Sequence, residues 1–154
     1  MHINVTTCYG MQIILYLARA NKIVSSTELA ERLHVSQRYI IHIVRKLRDG
    51  KMIETHAGAS GGYMLKKDAS SISIHDMISL LEGEAYIPEC IKQGANDNLY
   101  TTLSTSIRYM DILFKTVTFD QLSGIDKSGR LSEIIRIVET HINVMENESC
   151  KKYC

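Results

Sequence analysis

The sequence predicts a mainly α-helical chain with one small β-hairpin and a long helix in its C-terminal half. Three observations predict it. Apolar residues recur at three- and four-residue steps through most of the chain. Residues 52–66 break that period, with two short extended runs around a glycine-rich tip. Serine and threonine stand at the starts of several helical stretches, where a side-chain oxygen can take an orphan amide.

The first helix is expected over residues 3–20. Val5, Cys8, Met11, Leu15 and Ala18 draw its apolar stripe. Ser25-Ser26-Thr27-Glu28 fits a capping box and opens a short helix with Leu29, Ala30 and Leu33 inward. His34-Val35 makes a tight connection. Ser36 is the next N-cap, and a helix follows from Gln37 to Asp49, with Gly50 as its closing glycine. Two short helices joined this way form a helix-turn-helix.

Met52 to His56 is extended in character. Gly58, Gly61 and Gly62 make the stretch 57–62 a turn, and Tyr63 to Lys66 returns as a second strand. A hairpin directly after a helix-turn-helix is the wing of a winged-helix domain. Ser73 caps the next helix, with Ile74, Met77, Ile78 and Leu81 on one side and Gly83 at its end. Residues 84–98 are weakly patterned and hold the only proline, Pro88. A long helix then runs from Asn98 to Thr116, with Leu99, Leu103, Ile107, Met110, Phe114 and Val117 along one side. Thr118 to Leu122 is a short capped turn. Leu131, Ile134, Ile135, Val138, Ile142 and Met145 mark a last amphipathic helix. The expected organisation is a winged helix-turn-helix domain over 1–83, a linker over 84–98, and two amphipathic helices with a tail over 99–154.

The 154 residues fit one domain, or a domain plus an arm, and 45% of them are hydrophobic, ordinary for a globular chain. The apolar run Ile13–Ala18 is far short of the roughly 20 residues a membrane span needs. No signal peptide opens the chain, so a cytoplasmic location is expected. The net charge of +1 hides an asymmetry: residues 1–67 carry +6 and residues 68–154 carry −5. Only the first half suits a polyanion.

On a helical wheel, Tyr39, Ile40, Ile43, Val44 and Leu47 of the helix 37–49 fall on one side. Arg38, His42 and Arg45 fall opposite, with Gln37, Ile41 and Arg48 on one flank and Lys46 on the other. Two arginines and a histidine on the open face of such a helix suit the major groove of double-stranded DNA. Arginine pairs bidentately with guanine, and Gln37 can reach adenine or a phosphate. For any single residue a base contact, a phosphate contact and a plain solvated face all remain open. At the hairpin tip, His56, Ser60, Gly61 and Gly62 are the groups nearest the nucleic acid, with Lys66 and Lys67 at its far end. The candidate DNA-binding set is therefore Ser36, Gln37, Arg38, Tyr39, His42, Arg45, Lys46, His56, Ser60, Gly61 and Gly62. There is no glycine-rich phosphate loop after a strand, no metal-ligand quartet and no nucleophile–base pair, which argues against an enzyme.

Several stretches carry a family resemblance. Residues 9–18, Ser26 to Leu33, Ser36-Gln37-Arg38-Tyr39 with Leu47-Arg48, Gly58 to Leu65 and Ile74 to Gly83 resemble the Rrf-type (IscR/NsrR/CymR) bacterial winged-helix transcriptional regulators. The resemblance is strong over 1–83 and one of layout beyond. It implies a homodimer in which the long helix near 98–117 crosses its partner and two recognition helices read a palindromic operator. A repressor role is expected. Two departures stand out. Ala57 occupies the position before the wing's first glycine, where many members carry a DNA-contacting arginine. The cluster-binding members place three cysteines after the fourth helix, and here that segment holds only Cys90.

The cysteines divide accordingly. Cys8, on the apolar stripe, reads as a buried structural thiol. Cys90 is the candidate sensor. Cys150 and Cys154, flanked by Lys151 and Lys152, read as an idle tail, with a reactive or metal-binding pair as the alternative. Ligand arithmetic disfavours an iron–sulfur cluster, which usually needs four protein ligands. No cofactor is expected, and thiol redox chemistry, a small-molecule or protein effector, or no effector at all is preferred. The alternatives that stay open are a regulator acting mainly through a protein partner and an iron–sulfur sensor using Cys90 with ligands from elsewhere.

Overall fold

A computed structural model describes residues 3–58, 60–83 and 97–152, the last set without the side chains of residues 97, 141 and 144–152. Cys90, Cys154 and the side chain of Cys150 lie outside the described residues, as does nearly all of the expected linker 84–98.

Helix α1 spans Val5–Ala20, and its N-cap Asn4 accepts the Thr7 amide at 2.9 Å. Its buried face is Thr7, Gly10, Ile13, Ile14, Leu17 and Ala18. This corrects the expected stripe. Val5 is 66% exposed and Cys8 is an exposed free thiol, so Cys8 is not a buried structural thiol. The physical reason is that two apolar stripes compete on α1. The one with three bulky aliphatics, Ile13, Ile14 and Leu17, wins the core.

Helices α2 (Ser26–Leu33) and α3 (Gln37–Asp49) follow, joined through His34 in the left-handed conformation at φ 54°. Ser25 caps α2 by accepting the Glu28 amide at 3.1 Å. Glu28 does not reach back to complete the box. Its carboxylate takes the Tyr16 hydroxyl at 2.8 Å instead, tying α2 to α1 and raising the Tyr16 pKa from its usual value.

Gly50 ends α3 at φ −75°, so it is not the left-handed closing glycine that the sequence suggests; Lys51 takes that conformation at φ 58°. Gly50 is needed for proximity. A Cβ there would stand 2.4 Å from a methyl of Leu80.

Strands β1 (Ile53–His56) and β2 (Gly62–Leu65) pair antiparallel, with Ile53 opposite Leu65 and His56 opposite Gly62. Val24 adds a third backbone segment to this wing, beside β2: it and Tyr63 exchange amide–carbonyl bonds of 2.9 and 2.8 Å. A single 3₁₀ turn, Ala69–Ser71, leads to α4 (Ile74–Glu82). Ser73 and Asp76 complete a reciprocal capping box there, with Ser73 donating its amide at 2.8 Å and its hydroxyl at 2.7 Å to the carboxylate. Burial pushes the Asp76 carboxyl up, but the Ser73 bonds, with His75 and Lys67 nearby, hold it below the usual aspartate range. Its stabilising effect is therefore present above that range and lost as pH falls through the lowered folded value. Asp76→Ala should cost about 1 kcal/mol at neutral pH. In urea melts at descending pH the gap to wild type should close below about pH 4. A gap that stays constant would refute the assignment.

Helix α5 (Asp97–Thr116) packs on α4, where His75 Nδ1 meets Asp111 Oδ1 at 2.7 Å and Lys115 Nζ meets Asp111 Oδ2 at 2.8 Å. The chain then folds back. Ile74 donates its amide to the Val117 carbonyl at 3.0 Å, and Phe119 donates its own to Ile72 at 2.9 Å. Short helix α6 (Phe119–Ser123) lies against α1, and Arg19 Nε caps its end on the Ser123 carbonyl at 3.1 Å. Phe119 is fully buried in the same core as Ile13, Leu17, Ile40, Ile43 and Met77. The core of the N-terminal unit thus includes residues from beyond the long helix. Helix α7 (Arg130–Lys152) extends away and touches α6. No helix of the described residues is long and apolar enough to cross a membrane.

Candidate nucleic-acid interface

Helix α3 owes its orientation to its own pattern. Ile40, Ile43, Val44 and Leu47 are buried, so the opposite side faces out. Arg38, His42, Arg45 and Lys46 are all exposed there. Arg38, Arg45 and Lys46 make no ion pair with any described residue, whereas Arg48 is engaged by Asp49 at 3.2 Å. Three unneutralised cations on one helix can meet phosphates and guanine edges.

The start of α3 is anchored rather than free. The Ser36 hydroxyl accepts the Tyr39 amide at 3.3 Å, which makes Ser36 first of all a cap. Tyr39 is half-buried. Its ring stands edge-on to Tyr9 at 5.7 Å, and its hydroxyl shares a 3.1 Å hydrogen bond with Thr6. Tyr39 fastens α3 to α1 and does not project with Arg38. Gln37 is exposed, but its amide nitrogen donates to Ser26 Oγ at 2.7 Å and to Thr27 Oγ1 at 3.3 Å.

The wing tells a similar story. His56 Nε2 lies 3.1 Å from Glu54 Oε1, so a carboxylate already competes for this ring. Ser60 is exposed at the tip. Gly61 and Gly62 answer a constraint inside the hairpin. A Cβ at Gly61 would sit 2.4 Å from the His56 carbonyl oxygen, and one at Gly62 would sit 2.3 Å from that of Val24. Their glycine character is explained by the wing's own backbone packing, without any nucleic acid. Lys66 and Lys67 are exposed at the base of the wing.

The structure exposes Arg38, His42 and Arg45 on the outer face of α3, with Gln37 and Lys46 exposed on its two flanks and Ser36 as the cap before it. The hydroxyls of Ser26 and Thr27 join them, and sequence reasoning missed these two. The available signal was their place as hydroxyls in the first turn of α2, the helix that packs beside α3. Among the described residues no group of three or more His, Cys, Asp or Glu could hold a metal ion.

Comparison with known proteins agrees with this architecture. The Rrf2 family model, described as an iron-dependent transcriptional regulator, matches residues 3–125. The transcriptional regulator NsrR of Oceanobacillus iheyensis is 29% identical over 98 residues, covering 62% of this chain and 67% of that protein. The first curated relatives are matched over between 51% and 67% of their own length. Among solved structures, the global cysteine regulator CymR of B. subtilis aligns with a TM-score of 0.72 at 21% identity, over 82% of this chain and 99% of that one. The oxidised form of Staphylococcus aureus CymR aligns at 0.61 and 30% identity, over 80% and 96%. None of the residues described here supplies a ligand set for the iron in the family's description. With a mostly helical body, a two-stranded wing and a basic outer face on α3, the chain belongs to the Rrf2 family of DNA-binding transcriptional regulators.

Proposed function

We propose that the protein is a homodimeric repressor that reads a palindromic operator, with α3 in the major groove and the wing on the flanking backbone. The observation that carries the reading is the cationic face of α3, whose Arg38, Arg45 and Lys46 pair with no described residue and are held outward by the buried opposite face. The exposed apolar side chains of α5, Leu99, Met110 and their neighbours, supply the surface for a second copy. In this reading Cys90 is the sensor: its thiolate attacks one peroxide oxygen, the O–O bond breaks with release of hydroxide, the thiolate becomes a sulfenic acid, and operator affinity changes. The protein acts in the cytoplasm, and no enzymatic step is involved.

Arg38→Ala and Arg45→Ala test the recognition face by fluorescence anisotropy on operator DNA across a salt series. Loss of a base contact costs about 1–3 kcal/mol and relaxes preference at one position. Loss of a phosphate contact flattens the slope of log K against log salt by about one unit. Wild-type behaviour in both variants refutes this face. For the sensor, mild peroxide should alter operator binding by wild type and leave Cys90→Ser unchanged. Equal responses dismiss Cys90.

A further inference from the structure

We infer that Gln37 reads the operator as a hydrogen-bond acceptor only, because Ser26 and Thr27 hold its amide nitrogen. The inference rests on the proposed docking of α3 in the major groove and adds a specificity rule to it.

A free glutamine recognises adenine with two bonds: its nitrogen donates to N7 and its oxygen accepts from the N6 amino group. Gln37 stands differently. Its Nε2 donates to Ser26 Oγ at 2.7 Å and to Thr27 Oγ1 at 3.3 Å. A carboxamide nitrogen carries two protons, and both are committed to these hydroxyls. Only Oε1 remains to face a base edge.

An acceptor in the major groove finds a proton on adenine N6 and on cytosine N4. It finds none on guanine N7 and O6, nor on thymine O4. A phosphate oxygen offers no proton either, so the clasp also removes Gln37 from the phosphate-binding set. Gln37 therefore sorts bases by whether they carry an exposed amino group and does not separate adenine from cytosine. Ser26 and Thr27 are positioning residues. While accepting from Gln37, each keeps its own hydroxyl proton for a phosphate oxygen. A base amino group, the Gln37 carboxamide, a hydroxyl and a phosphate then form one polarised chain.

The test is selection of operator sequences by the full-length protein, followed by binding to operators carrying single base changes. Gln37→Ala locates the relevant position as the one whose preference it erases. There, wild type should favour adenine and cytosine over guanine and thymine by roughly three- to tenfold, the range of one hydrogen bond. Replacing that adenine with 7-deazaadenine removes N7 and should leave wild-type affinity unchanged. In Ser26→Ala/Thr27→Val the released amide should take the two-bond contact. Adenine should then outcompete cytosine by roughly tenfold, and 7-deazaadenine should abolish the gain. The wild-type measurement with 7-deazaadenine stands alone if the double variant folds poorly.

Wild type that loses affinity on 7-deazaadenine, or prefers guanine or thymine, overturns the inference while leaving operator reading by α3 intact. So does a double variant that folds and keeps the wild-type profile, or a Gln37→Ala profile identical to wild type. Failure to enrich any sequence overturns the inference together with the operator reading beneath it.

Discussion

Phe119→Ala should destabilise the protein by about 3–5 kcal/mol, the range for emptying a fully buried phenylalanine site. Phe119 is 0% exposed and sits in the core with residues from α1, α3 and α4. That loss is a large fraction of the roughly 5–15 kcal/mol that holds a typical domain together. The chain has a second phenylalanine, Phe114, which is only half-buried on α5. Phe114→Ala is the internal control and should cost the isolated chain clearly less. Urea melts of both variants make the comparison. A Phe119→Ala cost under about 1.5 kcal/mol would mean that residues 117–123 do not dock as described.

The second large effect concerns assembly. Leu99→Asp/Met110→Asp should convert a dimer into a monomer of 17.4 kDa and weaken operator binding by more than about 100-fold. Leu99 is 51% exposed and Met110 37%, so the single chain loses little core when they change. They share a side of α5 with Leu103, Ile107 and Phe114. In the proposed dimer this side of α5 is the face that meets the second copy. Two carboxylates buried across a two-fold axis leave like charges unpaired and desolvated. Half-site binding then loses the effective concentration that the partner provides. Light scattering and anisotropy check both parts. Wild type that scatters as a monomer at micromolar concentration, or a variant that stays dimeric, rejects the α5 interface.

What the sequence shows plainly is whatever repeats locally. In α3 the contrast between Ile40, Ile43, Val44, Leu47 and Arg38, His42, Arg45 is sharp enough that one wheel fixes both faces. The Ser73 cap is legible for the same reason, since the hydroxyl and the amide it takes lie within one turn. Contacts between distant segments leave no such trace. Nothing local marks Val24 as a partner of Tyr63, or places Phe119 beneath α1. Gly50 does end α3 as its sequence position suggests, but what requires a glycine there is Leu80, thirty residues on. On α1, two stripes fit the period, and only the packed core decides between them. The candidate site shows the same division. Its outward cations are read from α3 alone, whereas the commitments of Gln37, Tyr39 and His56 depend on neighbours that tertiary structure supplies.

The return of the chain at Phe119 gives the long helix a mechanical property. Its C-terminal end is bolted to the reading head through Val117, Phe119 and the His75–Asp111 pair. The other end, 20 residues away, stands about 30 Å off. A stiff rod fixed at one end is a lever. From Asp111 to Asp97 the rod runs about 21 Å, so a turn of about 6° at that joint sweeps its tip through about 2 Å. In the proposed dimer built on α5, a tilt at the His75–Asp111 joint would change the separation of the two α3 helices and with it the half-site spacing that fits.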